Sequence, residues 1–69
     1  MRASVYVGDR VRRLRDELAL TQGELAEEVG ITITALSRIE RNEAQPRPKT
    51  RRRLAEALGV KPRDLLAED

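Results

Sequence analysis

One stretch of the sequence, residues 22–41 (QGELAEEVGITITALSRIER), places the strongest constraint on the fold. It contains two short segments with apolar residues at helical spacing, and Gly30 lies between them. Glycine ends a helix in the left-handed conformation without the strain that a Cβ atom causes, and the hydroxyl of Thr32 can cap the helix that follows. The pattern therefore predicts two helices joined by a tight corner.

The apolar positions indicate that these two helices pack against each other. They are Leu25, Ala26, Val29, Ile31, Leu36 and Ile39. Ala26 is small, so the second helix can cross closely over the first at that point. Such an arrangement is typical of a helix-turn-helix.

This motif and its flanks resemble the Cro/C1 repressor family, the XRE-type regulators. The matching positions are Gln22, Leu25, Ala26, Gly30, Ile31, Leu36 and Ile39, and similarity continues through LRDELALTQ before the motif and RIERNEAQP and LAEALGV after it. The resemblance covers roughly residues 8–66. It implies an all-α, compact, five-helix lambda-repressor-like DNA-binding domain, with a short N-terminal arm at residues 1–7 and a C-terminal tail at residues 67–69.

The amino-acid composition argues against several classes of enzyme and metal-binding protein. A chain of 69 residues has room for one domain with one small core. Cysteine and histidine are both absent, which removes the usual parts of cysteine-based metal sites, of Cys/His and Ser/His catalysis, and of histidine acid/base chemistry. We therefore expect neither an enzyme nor a metal or cofactor site. The sequence has no long apolar run, so a cytoplasmic protein without a membrane partner is expected.

The placement of charge is more informative than its sum, which is only +2. Most charged residues are expected to form a solvated helical surface. Acidic residues gather at Glu24, Glu27, Glu28, Glu40 and Glu43. Basic residues crowd the second half of the motif and its continuation, at Arg38, Arg41, Arg47, Lys49, Arg51, Arg52 and Arg53. A basic face separated from an acidic one is typical of a duplex-binding domain.

The arm, residues 1–7, has no helical period, and Val5, Tyr6 and Val7 favour extended structure. Three conformations stay open for it: a loose terminus, local packing on the domain, or a short strand paired with the arm of a second subunit. Gly8 is expected to break the arm. Asp9 is then the predicted N-cap of a first helix.

The first helix is predicted to run to about Leu18, with Val11, Leu14 and Leu18 as its buried stripe. The family resemblance implies that Arg15 pairs with Glu40, which would tie this helix to the end of the third. Losing either partner would leave a partly buried charge unpaired.

Thr21 is predicted to cap the second helix and to form a capping box with Glu24. Gln22 then lies at a helix N-terminus, where free N–H groups and the helix dipole favour an anion. The matching glutamine of the family commonly contacts a DNA phosphate. The predicted phosphate contacts are Thr21, Gln22, Thr32, Arg41, Asn42, Arg47 and Lys49. Asn42 also suits a left-handed position after a helix, where relatives often have glycine.

The third helix, about residues 33–41, is the predicted sequence reader. Its core side takes Leu36 and Ile39, so the opposite side presents Ile33, Thr34, Ser37 and Arg38, the predicted base contacts. Ile33 can pack on a thymine methyl group, and Arg38 can bind guanine O6 and N7. The alternative places Ile33 in the core and Arg38 in solvent.

A fourth helix is predicted from about Lys49 to Leu58, with Leu54, Ala55 and Leu58 on its core face. Arg51 replaces the branched apolar residue that relatives usually have, so its stem would have to lie along the core edge. A last short helix containing Asp64, Leu65 and Leu66 either closes the core or borders a dimer contact.

These observations predict a transcriptional regulator, most directly a repressor, that binds double-stranded DNA as a homodimer at a palindromic operator. A stand-alone repressor, a restriction-modification controller and an antitoxin all fit the sequence. An alternative is a protein-interaction adaptor on the same scaffold, with a toxin or a polymerase subunit as its protein partner.

Overall fold

The computed structural model describes residues 6–66, and every regular element in that range is helical. The four α-helices are α1 (Val7–Glu17), α2 (Gln22–Val29), α3 (Ile33–Glu40) and α4 (Pro48–Leu58). A single 3₁₀ turn, Pro62–Leu65, follows them. The predicted fifth α-helix is therefore wrong: this segment closes i to i+3 hydrogen bonds from Asp64 N to Lys61 O (2.8 Å) and from Leu66 N to Arg63 O (3.2 Å).

The first helix begins earlier than predicted. Tyr6 is its N-cap residue, and Val7, which the sequence placed in the arm, is buried in the core. Asp9 is not an N-cap but an acidic residue of the first turn, where the helix dipole favours negative charge. The N–H of Gly8 is satisfied from a distant part of the chain, by Asn42 Oδ1 at 3.0 Å. The remaining arm residues, 1–5, and the predicted tail at 67–69 lie outside the described residues.

Gly8 does not break the arm; it permits a close contact between helices. It is buried inside α1, and a Cβ atom added there would overlap the carbonyl oxygen of Ile39 and lie 2.5 Å from Asn42 Oδ1. Only glycine lets the N-terminus of α1 meet the C-terminus of α3 this closely.

The end of α1 also differs from the prediction. Leu18 is 50% exposed and does not belong to the buried stripe, whereas Val11 is buried and Leu14 packs against the core. The helix ends at Glu17, and Ala19 then takes a left-handed conformation (φ 57°). The N–H of Leu20 returns to Arg15 O at 3.1 Å, as in a Schellman motif, and Leu20 packs against the core in place of Leu18.

The predicted corner of the motif is confirmed. Thr21 Oγ1 accepts from Glu24 N at 3.0 Å while Glu24 Oε1 accepts from Thr21 N at 2.8 Å, which is a complete capping box. Gly30 is left-handed (φ 84°), and Thr32 Oγ1 accepts from Ala35 N at 3.0 Å at the start of α3. Local sequence signals therefore set both ends of α2 and the start of α3.

A single core joins the elements. Helices α1 and α2 each pack against α3 and α4, and the 3₁₀ turn covers α4 and α1. The core cluster consists of Val7, Val11, Leu25, Ala26, Val29, Leu36, Leu54, Ala55, Leu58 and Leu65. Helix α3 is thus held from one side, which leaves its other side outward.

Candidate nucleic-acid interface

The outward side of α3 carries the residues predicted to contact bases. Ile33 is 55% exposed, Thr34 and Arg38 are exposed, and Ser37 is half-buried. Leu36, on the opposite side, is completely buried. Ile33 is therefore not part of the core, and the four predicted residues share one accessible surface, since positions three to four apart are neighbours on a helix.

Ile33 lies over the first turn of α2. A Cβ atom built on Gly23 would be 3.5 Å from Ile33 Cδ1, an ordinary van der Waals distance, so the Ile33 side chain borders the first turn of α2. Gln22 precedes Gly23 at the start of the same helix. The structure thus brings a predicted base contact close to the start of α2, where a predicted phosphate contact lies.

Two predicted phosphate contacts are also helix caps. The hydroxyls of Thr21 and Thr32 each accept one backbone N–H, at 3.0 Å in both cases. A hydroxyl that accepts in this way keeps its own hydrogen for donation. Capping and phosphate binding are therefore compatible at both positions.

A buried ion pair joins the ends of α1 and α3. Arg15 Nε donates to Glu40 Oε2 at 2.7 Å and Arg15 Nη2 donates to Glu40 Oε1 at 3.1 Å. The two side chains are only 12% and 3% exposed. Arg15 Nη1 additionally donates to Leu20 O at 2.8 Å and lies 3.3 Å from Asp16 Oδ1. The hydrogen bonding of Arg15 to the Glu40 carboxylate is the main reason why the pKa of Arg15 is raised, so the guanidinium is charged at any ordinary pH.

Gln22 belongs to the same cluster, which sequence reasoning missed. Its Nε2 donates to Glu40 Oε1 at 3.0 Å, so this oxygen accepts from both Gln22 and Arg15. Eighteen positions separate Gln22 from Glu40, and no local pattern signals a contact over that distance. We call Arg15, Gln22 and Glu40 the Glu40 cluster.

Glu40 therefore does not belong to the exposed acidic surface that the sequence suggested. It is buried, whereas Glu24, Glu27 and Glu28 of α2 are exposed. The positive charge of Arg15 balances the negative charge of Glu40 within this ion pair.

Asn42 and Arg41 have partners within the chain. Asn42 is left-handed, as its position after α3 suggested (φ 62°), and its Nδ2 donates to Asp9 Oδ1 at 3.1 Å while its Oδ1 accepts from Gly8 N. Arg41 Nη2 lies 3.2 Å from Glu43 Oε1 in an exposed ion pair. The structure thus gives Asn42 a structural role, the joining of α3 to α1, that the sequence did not indicate.

A groove of about 220 Å³ runs between α3 and the loop that leads to α4. Its apolar lining comes from Ile31, Ala35, Ile39, Ala44 and Pro46. Arg38 and Arg47 line it as well, so a predicted base contact and a predicted phosphate contact flank one surface depression. Lys49 is exposed in the first turn of α4, two residues beyond Arg47.

The basic residues after α3 mostly reach solvent. Those exposed are Arg38, Arg41, Arg47, Lys49, Arg52 and Arg53, and Arg51 is half-buried. Within residues 6–66 no group of three or more His, Cys, Asp or Glu side chains is arranged to hold a metal ion. None of the described helices is both long and apolar enough to cross a lipid bilayer.

Comparison with known proteins gives a consistent result. A family model described as helix-turn-helix matches residues 11–65. The HTH-type transcriptional repressor RghR of Bacillus subtilis (strain 168) is 41% identical over 54 residues, covering 77% of this chain and 40% of that protein. The immunity repressor protein of Bacillus phage phi105 is 35% identical over 63 residues, covering 91% and 44%. The chain therefore spans less than half the length of these two curated relatives.

The fold is also similar to that of a repressor of known structure. The P22 c2 repressor protein, crystallised in complex with synthetic operator 9T, superposes with a TM-score of 0.86 at 35% identity, covering 91% of this chain and 96% of that one. The family match contains the whole motif, from the capped start of α2 to the end of α3, and most of the core. We conclude that this chain belongs to the Cro/C1-type (XRE) helix-turn-helix family.

Proposed function

We propose that this chain is a sequence-specific DNA-binding transcriptional regulator, most directly a repressor, that places α3 in the major groove of double-stranded DNA. The observation that carries the proposal is the outward side of α3, where Ile33, Thr34 and Arg38 are exposed. Ile33 borders the first turn of α2, and Arg38 lines a groove with Arg47, the residue before α4. The names of the relatives as repressors, and the operator bound to the P22 protein, support it.

Base recognition in this proposal comes from four residues of α3. Arg38 donates to the O6 and N7 acceptors of a guanine, and Ile33 packs on a thymine methyl group. Thr34 and Ser37 supply hydroxyls for base edges or nearby phosphates. Because Ile33 lies beside Gly23, its proposed contact with a thymine methyl group is close to the proposed phosphate contacts at the start of α2.

Phosphate contacts fix how the domain sits on the duplex. Thr21 and Gln22 act from the start of α2, and Thr32 acts from the start of α3. Arg41 and Asn42 act from the end of α3, and Arg47 and Lys49 act from the start of α4. Asn42 keeps one amide hydrogen for this purpose while it joins α3 to α1, because its carboxamide nitrogen carries two.

A homodimer completes the proposal. An eight-residue recognition helix contacts few base pairs, and two-fold dimers of such domains read two half-sites roughly ten base pairs apart. Binding of the dimer over a promoter would block polymerase.

Selection from a random-sequence duplex library, with binding of the enriched sites measured across salt concentrations, tests this proposal. We expect a palindrome, together with an affinity that falls as salt rises. Arg38→Ala should relax the preference at one position of each half-site, whereas Lys49→Ala should weaken binding to all sequences alike. Arg63→Ala, which removes an exposed arginine from the 3₁₀ turn, is the matched control and should leave the preference unchanged.

A protein-interaction adaptor is the second candidate, favoured by the exposed side chain of Ile33. A toxin or a polymerase subunit would be its partner. Under this alternative the library yields no enriched sequence, and the weak duplex binding that remains disappears as salt rises.

A further inference from the structure

We propose that Glu40 is a positioning residue for DNA binding, which holds the carboxamide of Gln22 ready to donate to a phosphate. The inference rests on the proposed function. Glu40 cannot contact DNA itself, because its side chain is only 3% exposed. It acts through the 3.0 Å hydrogen bond that it accepts from Gln22 Nε2.

The hydrogen bond fixes which end of the Gln22 amide faces Glu40. A carboxylate only accepts, so the side chain must turn its NH2 group and not its carbonyl oxygen toward Glu40. One of the two amide hydrogens is used in that contact, and the second stays available for an anion at the N-terminus of α2. A long side chain that is already fixed loses less conformational entropy on binding than a freely rotating one.

Arg15 makes this arrangement compatible with a phosphate. It donates two hydrogen bonds to Glu40, so the carboxylate beside Gln22 is balanced by a cation. Without Arg15, an uncompensated negative charge would lie next to the amide that meets the phosphate, and it would oppose binding. The Glu40 cluster thus connects the α1–α3 junction to a DNA contact on α2.

The test uses a double replacement, Arg15→Met together with Glu40→Leu. Exchanging a buried ion pair for apolar side chains of similar size commonly preserves the stability of a fold, whereas removing one partner is strongly destabilising. In this variant Gln22 keeps its place on α2 and loses its acceptor. Circular dichroism tests whether the double replacement keeps the helices.

The first readout needs no DNA. Gln22, Asn42 and Gln45 are the three side-chain amides of the whole chain, so their NH2 signals in a ¹⁵N-correlated NMR spectrum are few and assignable, with Gln22→Ala identifying the first. We expect one Gln22 amide proton to be shifted downfield relative to those of exposed Gln45, and the double replacement to abolish the difference. A Gln22 signal that is identical with and without Glu40 would overturn the proposal.

The second readout is affinity for the selected operator, measured as a double-mutant cycle between Gln22→Ala and the double replacement. Gln22→Ala should weaken binding about tenfold, and the double replacement about three- to tenfold. Combined with Gln22→Ala, the double replacement should add less than about twofold, because its effect passes through Gln22.

Several outcomes separate the proposals. If the double replacement weakens binding equally with and without Gln22, Glu40 supports only the fold and the positioning role is refuted. Failure of the wild-type chain to select any operator would refute the proposed function, while the NMR result would still report on the hydrogen bond. If the double replacement does not fold, Glu40→Asp, which keeps the charge of Arg15 balanced and shortens the side chain that accepts from Gln22, enters the same cycle, with a smaller loss and the same dependence on Gln22 expected.

Discussion

Removal of Arg15 alone should destabilise the fold far more than removal of Arg15 and Glu40 together. Arg15→Met leaves Glu40 buried with Gln22 as its remaining donor in the cluster, and it also removes the 2.8 Å hydrogen bond to Leu20 O. Breaking a buried pair by deleting one partner costs about 3–5 kcal/mol. Because the Arg15 side chain is 12% exposed and water can reach its site in part, we expect about 3 kcal/mol.

The double replacement of Arg15→Met with Glu40→Leu should bring the free energy of unfolding back to within about 1 kcal/mol of the wild type, since no buried charge remains. Thermal and urea unfolding followed by circular dichroism measure both variants. For a domain of this size, about 3 kcal/mol corresponds to a fall in Tm of roughly 12–24 °C. The raised pKa of Arg15 means that its contribution is complete at neutral pH and is lost only in strong alkali, so the difference should not change between neutral and mildly alkaline buffers.

A cost below about 1 kcal/mol for Arg15→Met, or a double replacement as unstable as the single one, would contradict this expectation. The first result would mean that Glu40 is not effectively buried. The second would mean that packing around Arg15, and not its charge, stabilises the junction.

Three further predictions concern the helix junctions and the turn. Gly8→Ala should cost at least about 2 kcal/mol, because the new Cβ atom overlaps Ile39 O, and a loss below about 0.5 kcal/mol in urea unfolding would contradict the close approach. Thr32→Ala should cost about 1 kcal/mol through the lost cap of α3, with Thr32→Ser as a control that keeps the hydroxyl; equal losses would argue against the cap. Leu65→Ala should cost about 2–5 kcal/mol because its side chain is fully buried, whereas Leu66→Ala at an exposed neighbouring position should cost less than about 1 kcal/mol. Similar unfolding midpoints for these two variants would show that the 3₁₀ turn is not part of the cooperative core.

Signals confined to a few neighbouring residues were sufficient to predict the motif. The Thr21–Glu24 capping box, the left-handed Gly30 and the Thr32 cap each act within about one helical turn, so the sequence displays them directly. The helical period likewise placed Ile33 and Arg38 on the outward side of α3.

Contacts between distant parts of the chain explain what the sequence could not predict. The start of α1 depends on Asn42, 34 positions after Gly8, whereas the neighbouring residues alone favour Asp9 as the cap. Leu18 has the correct helical spacing for burial, but the turn at Ala19 directs Leu20 to the core instead. The bond between Gln22 and Glu40 requires the finished fold and has no local signature.

Helix α3 is held in the domain by groups at its ends and on its inner side. Its cap at Thr32, its buried Leu36 and its paired Glu40 lie at the ends and on the inner side of the helix. Positions 33, 34, 37 and 38 contribute none of these stabilising groups, so they can vary with little effect on the rest of the domain. Under the proposed function, diversification of these positions alone, in the laboratory or by descent, should yield domains with different DNA sequence preferences on one unchanged scaffold.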